Sequence, residues 1–120
     1  MKVLIVDDHA VNRMLPLAIL RKVGVAVVEA STGAEALAKV AADPAIDHLL
    51  LDVSMPGMSG MEVCATLRKG PPRPLRLVAY TAHAFESERQ QFLSAGFDDV
   101  LVKPISKDAL LRALAVPPAA

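Results

Sequence analysis

The sequence predicts an α/β fold in which a parallel sheet is covered by helices on both faces. Short apolar runs alternate with helical patterns five times along the chain, as in strand-helix-strand units joined by right-handed crossovers. The run Leu49 to Leu51 is apolar at consecutive positions, as expected of a central parallel strand buried on both faces. That run then stops at one carboxylate, Asp52, and Pro56, Gly57 and Gly60 forbid its continuation.

In chain order, Lys2 to Val6 reads as the first strand, β-branched in character and ending in Asp7-Asp8. From about Ala10 to Val23 the spacing predicts a helix closed by Gly24. Its apolar set, Val11, Met14, Leu15, Leu17, Ala18, Ile19 and Leu20, is wider than one buried stripe requires. Part of it should face solvent or a partner, unless Pro16 turns that part into the core. Pro16 removes a backbone donor inside the pattern, which predicts a kink or a late start.

Val25 to Glu29 reads as the second strand, and Thr32-Gly33-Ala34-Glu35 has the spacing of a capping box before a helix carrying Leu37, Val40 and Ala41. Asp43-Pro44 ends that helix. Beyond Asp52, Ser59-Gly60-Met61-Glu62 repeats the capping pattern and opens a helix with Gly60, Val63, Cys64 and Leu67 on one face. Gly70 to Pro74 is a stiff, proline-rich loop within the domain. Leu75 to Tyr80, ended by Thr81, is the fourth strand, followed by a helix from Ala84 to Ala95 with Phe85, Phe92 and Leu93 on its apolar side and Gly96 as its cap. Asp98 to Val102 is the fifth strand, ended by Lys103-Pro104. Ser106 begins a last helix with Leu110, Ala113 and Leu114 inward, stopped by Pro117 and Pro118.

At 120 residues the chain reads as one domain, residues 1–120, with room for one core. Lysine plus arginine equal aspartate plus glutamate at 13 each, which removes any bulk electrostatic case for nucleic acid or an anionic membrane surface. No apolar stretch approaches the roughly 18 residues of a membrane span, and the first strand runs straight into two acids rather than a signal-peptide core. A cytoplasmic protein is expected. Cys64 is the lone cysteine, and its place in an apolar helical pattern points to packing rather than to a disulfide or a metal site.

The strand ends carry the chemistry. Asp7 and Asp8 end the first, Asp52 the third, Thr81 the fourth and Lys103 the fifth. In an open parallel sheet ligands bind beyond the carboxyl ends of the strands, so these groups converge on one edge. Taken alone, Asp52 could equally be a turn-forming aspartate. Carboxylates brought together repel, which implies a cation among them or shifted pKa values, and an all-oxygen site with room for water suits Mg²⁺. Lys103 can pair with an anion beside the metal, and Thr81 can donate to another oxygen of it. Such a site is assembled for attack of an aspartate on a phosphoryl group.

Four motifs resemble, in order and at successive strand ends, those of the receiver domains of two-component response regulators: Val-Asp-Asp at 6–8, Leu-Asp-Val-Ser-Met-Pro-Gly-Met-Ser-Gly at 51–60, Thr-Ala-His-Ala at 81–84 and Lys-Pro-Ile at 103–105. The resemblance implies a flavodoxin-like, doubly wound (βα)5 fold with strand order 2-1-3-4-5. It implies that Asp52 accepts a phosphoryl group from a histidine kinase or histidine phosphotransfer protein. It further implies that Asp8 and Asp52 ligate Mg²⁺ directly, Asp7 through water and Ser54 through its backbone carbonyl, and that Thr81 and Lys103 contact the phosphate. By the same resemblance, Ser54 and His83 occupy positions that in the family tune how water reaches the acyl phosphate, where the small Ser54 leaves room for water and His83 could orient it or merely sit in solvent, and the bond between Lys103 and Pro104 is expected to be cis. The domain would catalyse its own phosphorylation and dephosphorylation without being an enzyme of the usual kind.

One departure stands out. The family usually has an aromatic residue three positions before the site lysine, and here that position is Val100. Tyr80, beside Thr81, could substitute, but adjacent strand residues point to opposite faces, which favours a packing role. His9 and His48 read as rim or surface residues. Val-Asp-Asp-His-Ala-Val-Asn-Arg and Thr-Ala-His-Ala look more like stand-alone or hybrid-kinase receivers than transcription-factor receivers, and Met1 so near the first strand favours a stand-alone protein. Two other readings compete: a degenerate receiver acting only as an interaction module, and an aspartyl-phosphate hydrolase. The module conflicts with the retained polar residues. The hydrolase would favour a second acid where Ser54 stands.

Overall fold

The computed structural model describes residues 1–70, 73–82 and 85–116. Strands β1 (Lys2–Val6), β2 (Ala26–Ala30), β3 (His48–Asp52), β4 (Arg76–Thr81) and β5 (Asp99–Val102) alternate with helices α1 (Ala10–Lys22), α2 (Gly33–Ala42), α3 (Gly60–Lys69), α4 (Glu86–Ala95) and α5 (Lys107–Ala113). Every ladder is parallel and the order is β2-β1-β3-β4-β5, as expected. The chain reverses its direction of winding between β1 and β3, so the crevice at their carboxyl ends is the topological switch point.

Side chains alternate along each strand and so feed two separate cores. Leu4, Val6, Leu49, Leu51, Leu77, Ala79 and Val100 pack against α2, α3 and α4 through Ala36, Val40, Val63, Cys64 and Phe92. Val3, Ile5, Leu50, Val78, Tyr80 and Leu101 pack on the other face against Leu20 of α1 and Leu110, Ala113 and Leu114 around α5. Cys64 is a free, fully buried thiol whose pKa burial pushes up, and its Sγ contacts the Ala95 carbonyl.

Several sequence expectations are refined at helix ends. Helix α1 starts at Ala10 and continues through Pro16, which is buried, so the late start does not occur. The helix closes in a Schellman motif: the Gly24 N–H donates to Arg21 and the Val25 N–H to Leu20, with Gly24 at φ 81°. Because Val25 is spent closing the helix, β2 begins one residue later than its apolar run. The Thr32 hydroxyl accepts from the Glu35 N–H as a cap should, but the Glu35 carboxylate reaches the Ser31 N–H rather than that of Thr32. Phe85 is not on the core face of α4. It is the extended N-cap residue, 73% exposed, and only Phe92 of the expected apolar side is buried. Pro71, Pro72, Ala84, Pro117 and Pro118, on which parts of the predicted loop and helix ends fall, lie outside the described residues.

Gly60 shows how the fold positions the site. At the first position of α3 it lies so close to the end of β3 that a Cβ would stand 2.4 Å from the Asp52 carbonyl oxygen and 3.0 Å from the Val53 Cα. Both obstacles are backbone. Gly60→Ala is therefore expected to lower the unfolding free energy by roughly 2–3 kcal/mol, the upper range of overpacking costs, read as a lower urea midpoint at unchanged slope. An unchanged midpoint would mean that α3 can retreat from Asp52 at no cost.

Candidate functional site

Four side chains of the α1/α5 face meet at the carboxyl edge. Asp7 follows Val3 and Ile5, Asp52 follows Leu50, Tyr80 follows Val78 and Lys103 follows Leu101, each at a two-residue step. Asp7 is fully buried and Asp52 is 4% exposed. Lys103 bridges them, its Nζ lying 3.3 Å from Asp7 Oδ2 and 3.7 Å from Asp52 Oδ1. The peptide after Lys103 is cis, and the Lys103 N–H donates to the Thr81 carbonyl, tying the lysine to the end of β4. Thr81, also buried, ends β4 with the opposite strand parity.

Asp52 Oδ1 accepts from the Ser54 N–H at 3.0 Å. Oδ1 is also the Asp52 oxygen that Lys103 approaches. Burial pushes the Asp52 carboxyl above the ordinary carboxylate range. The charges of Asp7 and Asp8 push it further, while the Ser54 N–H and Lys103 pull the other way. Three carboxylates, those of Asp7, Asp8 and Asp52, act here against the single ammonium of Lys103.

The turn after β1 is pinned by a residue whose importance the sequence did not signal. Arg13, one turn into α1, donates to the Asp7 carbonyl at 2.6 Å and to Glu29 Oε1 at 3.0 Å. The His9 N–H donates to Asp7 Oδ1, and the His9 ring Nδ1 stands 3.1 Å from Asp8 Oδ1. His9 is an exposed rim residue as expected, yet its ring falls in with the acids: Asp7, Asp8 and His9 each offer a ligand atom within 4.8 Å of one another. Asp52 lies outside that group and is joined to it through Lys103. The oxygen-rich donor set and the deficit of positive charge fit a hard divalent cation. Ser54 is exposed beside Asp52, and His83 lies outside the described residues.

The chain matches the response regulator receiver domain over residues 3–115. It is a member of that family. Among curated relatives, this receiver is 36% identical to the sensor histidine kinase GacS of Pseudomonas protegens over 92% of its own length and 12% of the kinase's. It is 40% identical to the transcriptional regulatory protein ResD of Bacillus subtilis over 96% of its length and 47% of the regulator's. The chain thus spans about an eighth of the one and about half of the other. Among solved structures, the chemotaxis protein CheY4 of Vibrio cholerae superposes with a TM-score of 0.84 at 31% identity, covering 95% of each chain. The receiver domain of Ssk1 from Saccharomyces cerevisiae, solved with the histidine phosphotransfer protein Ypd1, gives a TM-score of 0.86 at 25% identity, covering 96% of this chain and 86% of that one. No helix of the described residues is long and apolar enough to cross a membrane.

The buried Asp52 carboxyl of this receiver makes a pH prediction. A carboxyl protonated more easily folded than unfolded lowers stability once ionised; the loss is absent below the unfolded pKa and complete above the raised folded one. Asp52→Asn is expected to be more stable than the native protein at pH 7 without divalent cation. The gain should shrink as pH falls through the window between the ordinary carboxylate range and the raised value. Urea midpoints across that range check it; a gain independent of pH would contradict it.

Proposed function

We propose that this receiver accepts a phosphoryl group on Asp52 from the phosphohistidine of a histidine kinase or histidine phosphotransfer protein, with Mg²⁺ held by Asp7, Asp8, Asp52 and the Ser54 backbone carbonyl. The observation that carries the reading is the Lys103 ammonium at the carboxyl edge of the sheet, 3.7 Å from Asp52 Oδ1 and 3.3 Å from Asp7 Oδ2. Oδ1 is steadied by the Ser54 N–H and Lys103, and Oδ2 is the attacking oxygen in this proposal.

Asp52 Oδ2 forms a bond to phosphorus as the phosphorus–nitrogen bond to the donor imidazole breaks, and the ring nitrogen keeps the electron pair. The product is an acyl phosphate. Bound Mg²⁺ would supply positive charge to the phosphoryl oxygens. Lys103 neutralises the charge gathering on the same oxygens, and Thr81 offers its hydroxyl to one of them. The added charge near −2 draws both groups inward and shifts the population of the loops after β4 and β5. Water then hydrolyses the acyl phosphate, admitted past the small Ser54 and oriented by His83, and the site resets. We place the reaction in the cytoplasm, where phosphohistidines are made from ATP.

The donor's docking face in this proposal is the outer side of α1. Val11, Met14 and Leu15 are 69%, 64% and 49% exposed, and the helix begins beside His9 on the site's rim. An apolar stripe on the helix that starts at the rim of the site suits the helix of a phosphodonor. The complex of Ypd1 with the Ssk1 receiver supports a partner of that class. A phosphorylation-independent module is the weaker alternative, since Asp7, Asp8, Asp52, Thr81 and Lys103 are all retained.

Intact mass after incubation with acetyl phosphate tests the chemistry. A gain of one phosphoryl group that requires Mg²⁺ and is absent in Asp52→Ala is expected; no gain beside a control receiver that labels would overturn the reading. Docking is tested separately by Met14→Glu. A buried charge in an apolar contact costs several kcal/mol, so phosphotransfer from a phosphohistidine protein should slow by more than about tenfold relative to labelling by acetyl phosphate. An equal effect on both donors would exclude α1 as the docking face.

A further inference from the structure

We propose that Tyr80 is a positioning residue of this site, its ring face seating the Lys103 ammonium at the place from which it meets the phosphoryl group, an inference that rests on the phosphoacceptor reading of Asp52. Lys103 Nζ lies 4.6 Å from the Tyr80 ring centroid, well inside the range in which an ammonium is attracted to an aromatic face. Tyr80 is 4% exposed and packed in the α1/α5 core, so its ring cannot turn away as a surface tyrosine could.

The register explains why this tyrosine meets the lysine. Asp52 and Tyr80 are direct partners in the β3–β4 ladder, which sets their side chains on one face about 4.8 Å apart across the strands. Lys103 joins that face because it lies two residues beyond Leu101, which packs in the same core. Val100, at the position where the family usually has an aromatic residue, is 6% exposed and packed in the opposite core beneath α2, α3 and α4. It has neither a ring nor a path to the lysine.

A lysine side chain has four rotatable bonds, and holding its end in one place costs entropy. Asp7, Asp52 and the Tyr80 ring supply three sides of a seat for it. When Asp52 takes a phosphoryl group, its charge moves outward onto the new oxygens. The ring stays where it is. It holds the ammonium near the site while the carboxylates' share of the attraction changes.

The protein contains one tyrosine and no tryptophan, so an upfield shift on Lys103 that disappears when Tyr80 loses its ring is assigned to that ring. In the unphosphorylated protein the Lys103 ε-methylene protons should resonate upfield by ring current in the native chain and in Tyr80→Phe, and return to ordinary values in Tyr80→Leu. Labelling by acetyl phosphate with Mg²⁺ should slow about fivefold in Tyr80→Leu, in line with the loss of one cation–π contact, and recover in Tyr80→Phe. No upfield shift in the native protein, which needs no variant to fold, would overturn the proposal. So would equal labelling rates in folded Tyr80→Leu and the native chain. If the native protein takes no label at all, the phosphoacceptor reading falls, and the ring-current shift still decides whether Tyr80 seats the lysine.

Discussion

Two carboxylates, those of Asp7 and Asp52, are withdrawn from water at adjacent strand ends, and the Lys103 ammonium between them is what keeps that arrangement tolerable. Buried like charges are costly unless paired. Much of the surrounding structure serves that pairing: the Lys103 N–H bonded to the Thr81 carbonyl, the Arg13 guanidinium on the Asp7 carbonyl and the Ser54 N–H on Asp52. Even so, burial first, and then the charges of Asp7 and Asp8, leave the Asp52 carboxyl easier to protonate than an ordinary one. The site is held in a state that additional positive charge relieves, which is the electrostatic condition for binding a cation and, with it, a phosphoryl group.

The parallel sheet sets which residues share this environment. Because side chains alternate along strands and neighbouring strands run in register, the face that carries Asp52 also carries Asp7, Tyr80 and Lys103. Thr81 and Val100 take the other parity. The end of β4 is where adjacent residues, Tyr80 and Thr81, point one to each face.

The alternation of strands and helices and the convergence of Asp7, Asp52, Thr81 and Lys103 on one edge were legible in the sequence, because periodicity and turn chemistry act locally, while the strand order came only with the resemblance of the ordered motifs to receiver domains. What was not legible depended on distance in space. The alternation that sets Tyr80 opposite Thr81 was readable, but that Lys103 lies on the Tyr80 side follows from the register of β4 with β3 and β5. Arg13 looks like any helix-surface cation until its bonds to Asp7 and Glu29 are seen. Phe85 read as core because apolar residues usually are, whereas the extended backbone at the N-cap of α4 turns it outward. The spacing of His9 alone gave no hint that its ring would join the Asp7 and Asp8 carboxylates.

Helix α3 packs its one thiol, Cys64, against the sheet, out of reach of solvent and with its deprotonation disfavoured by burial. Thiol reagents act through the thiolate and need access to it. The native chain is therefore a silent background for site-directed labelling: a cysteine placed on the loops after β4 and β5, or on α1, would be the reactive one, and distances between such labels could follow the switch without removing any native residue.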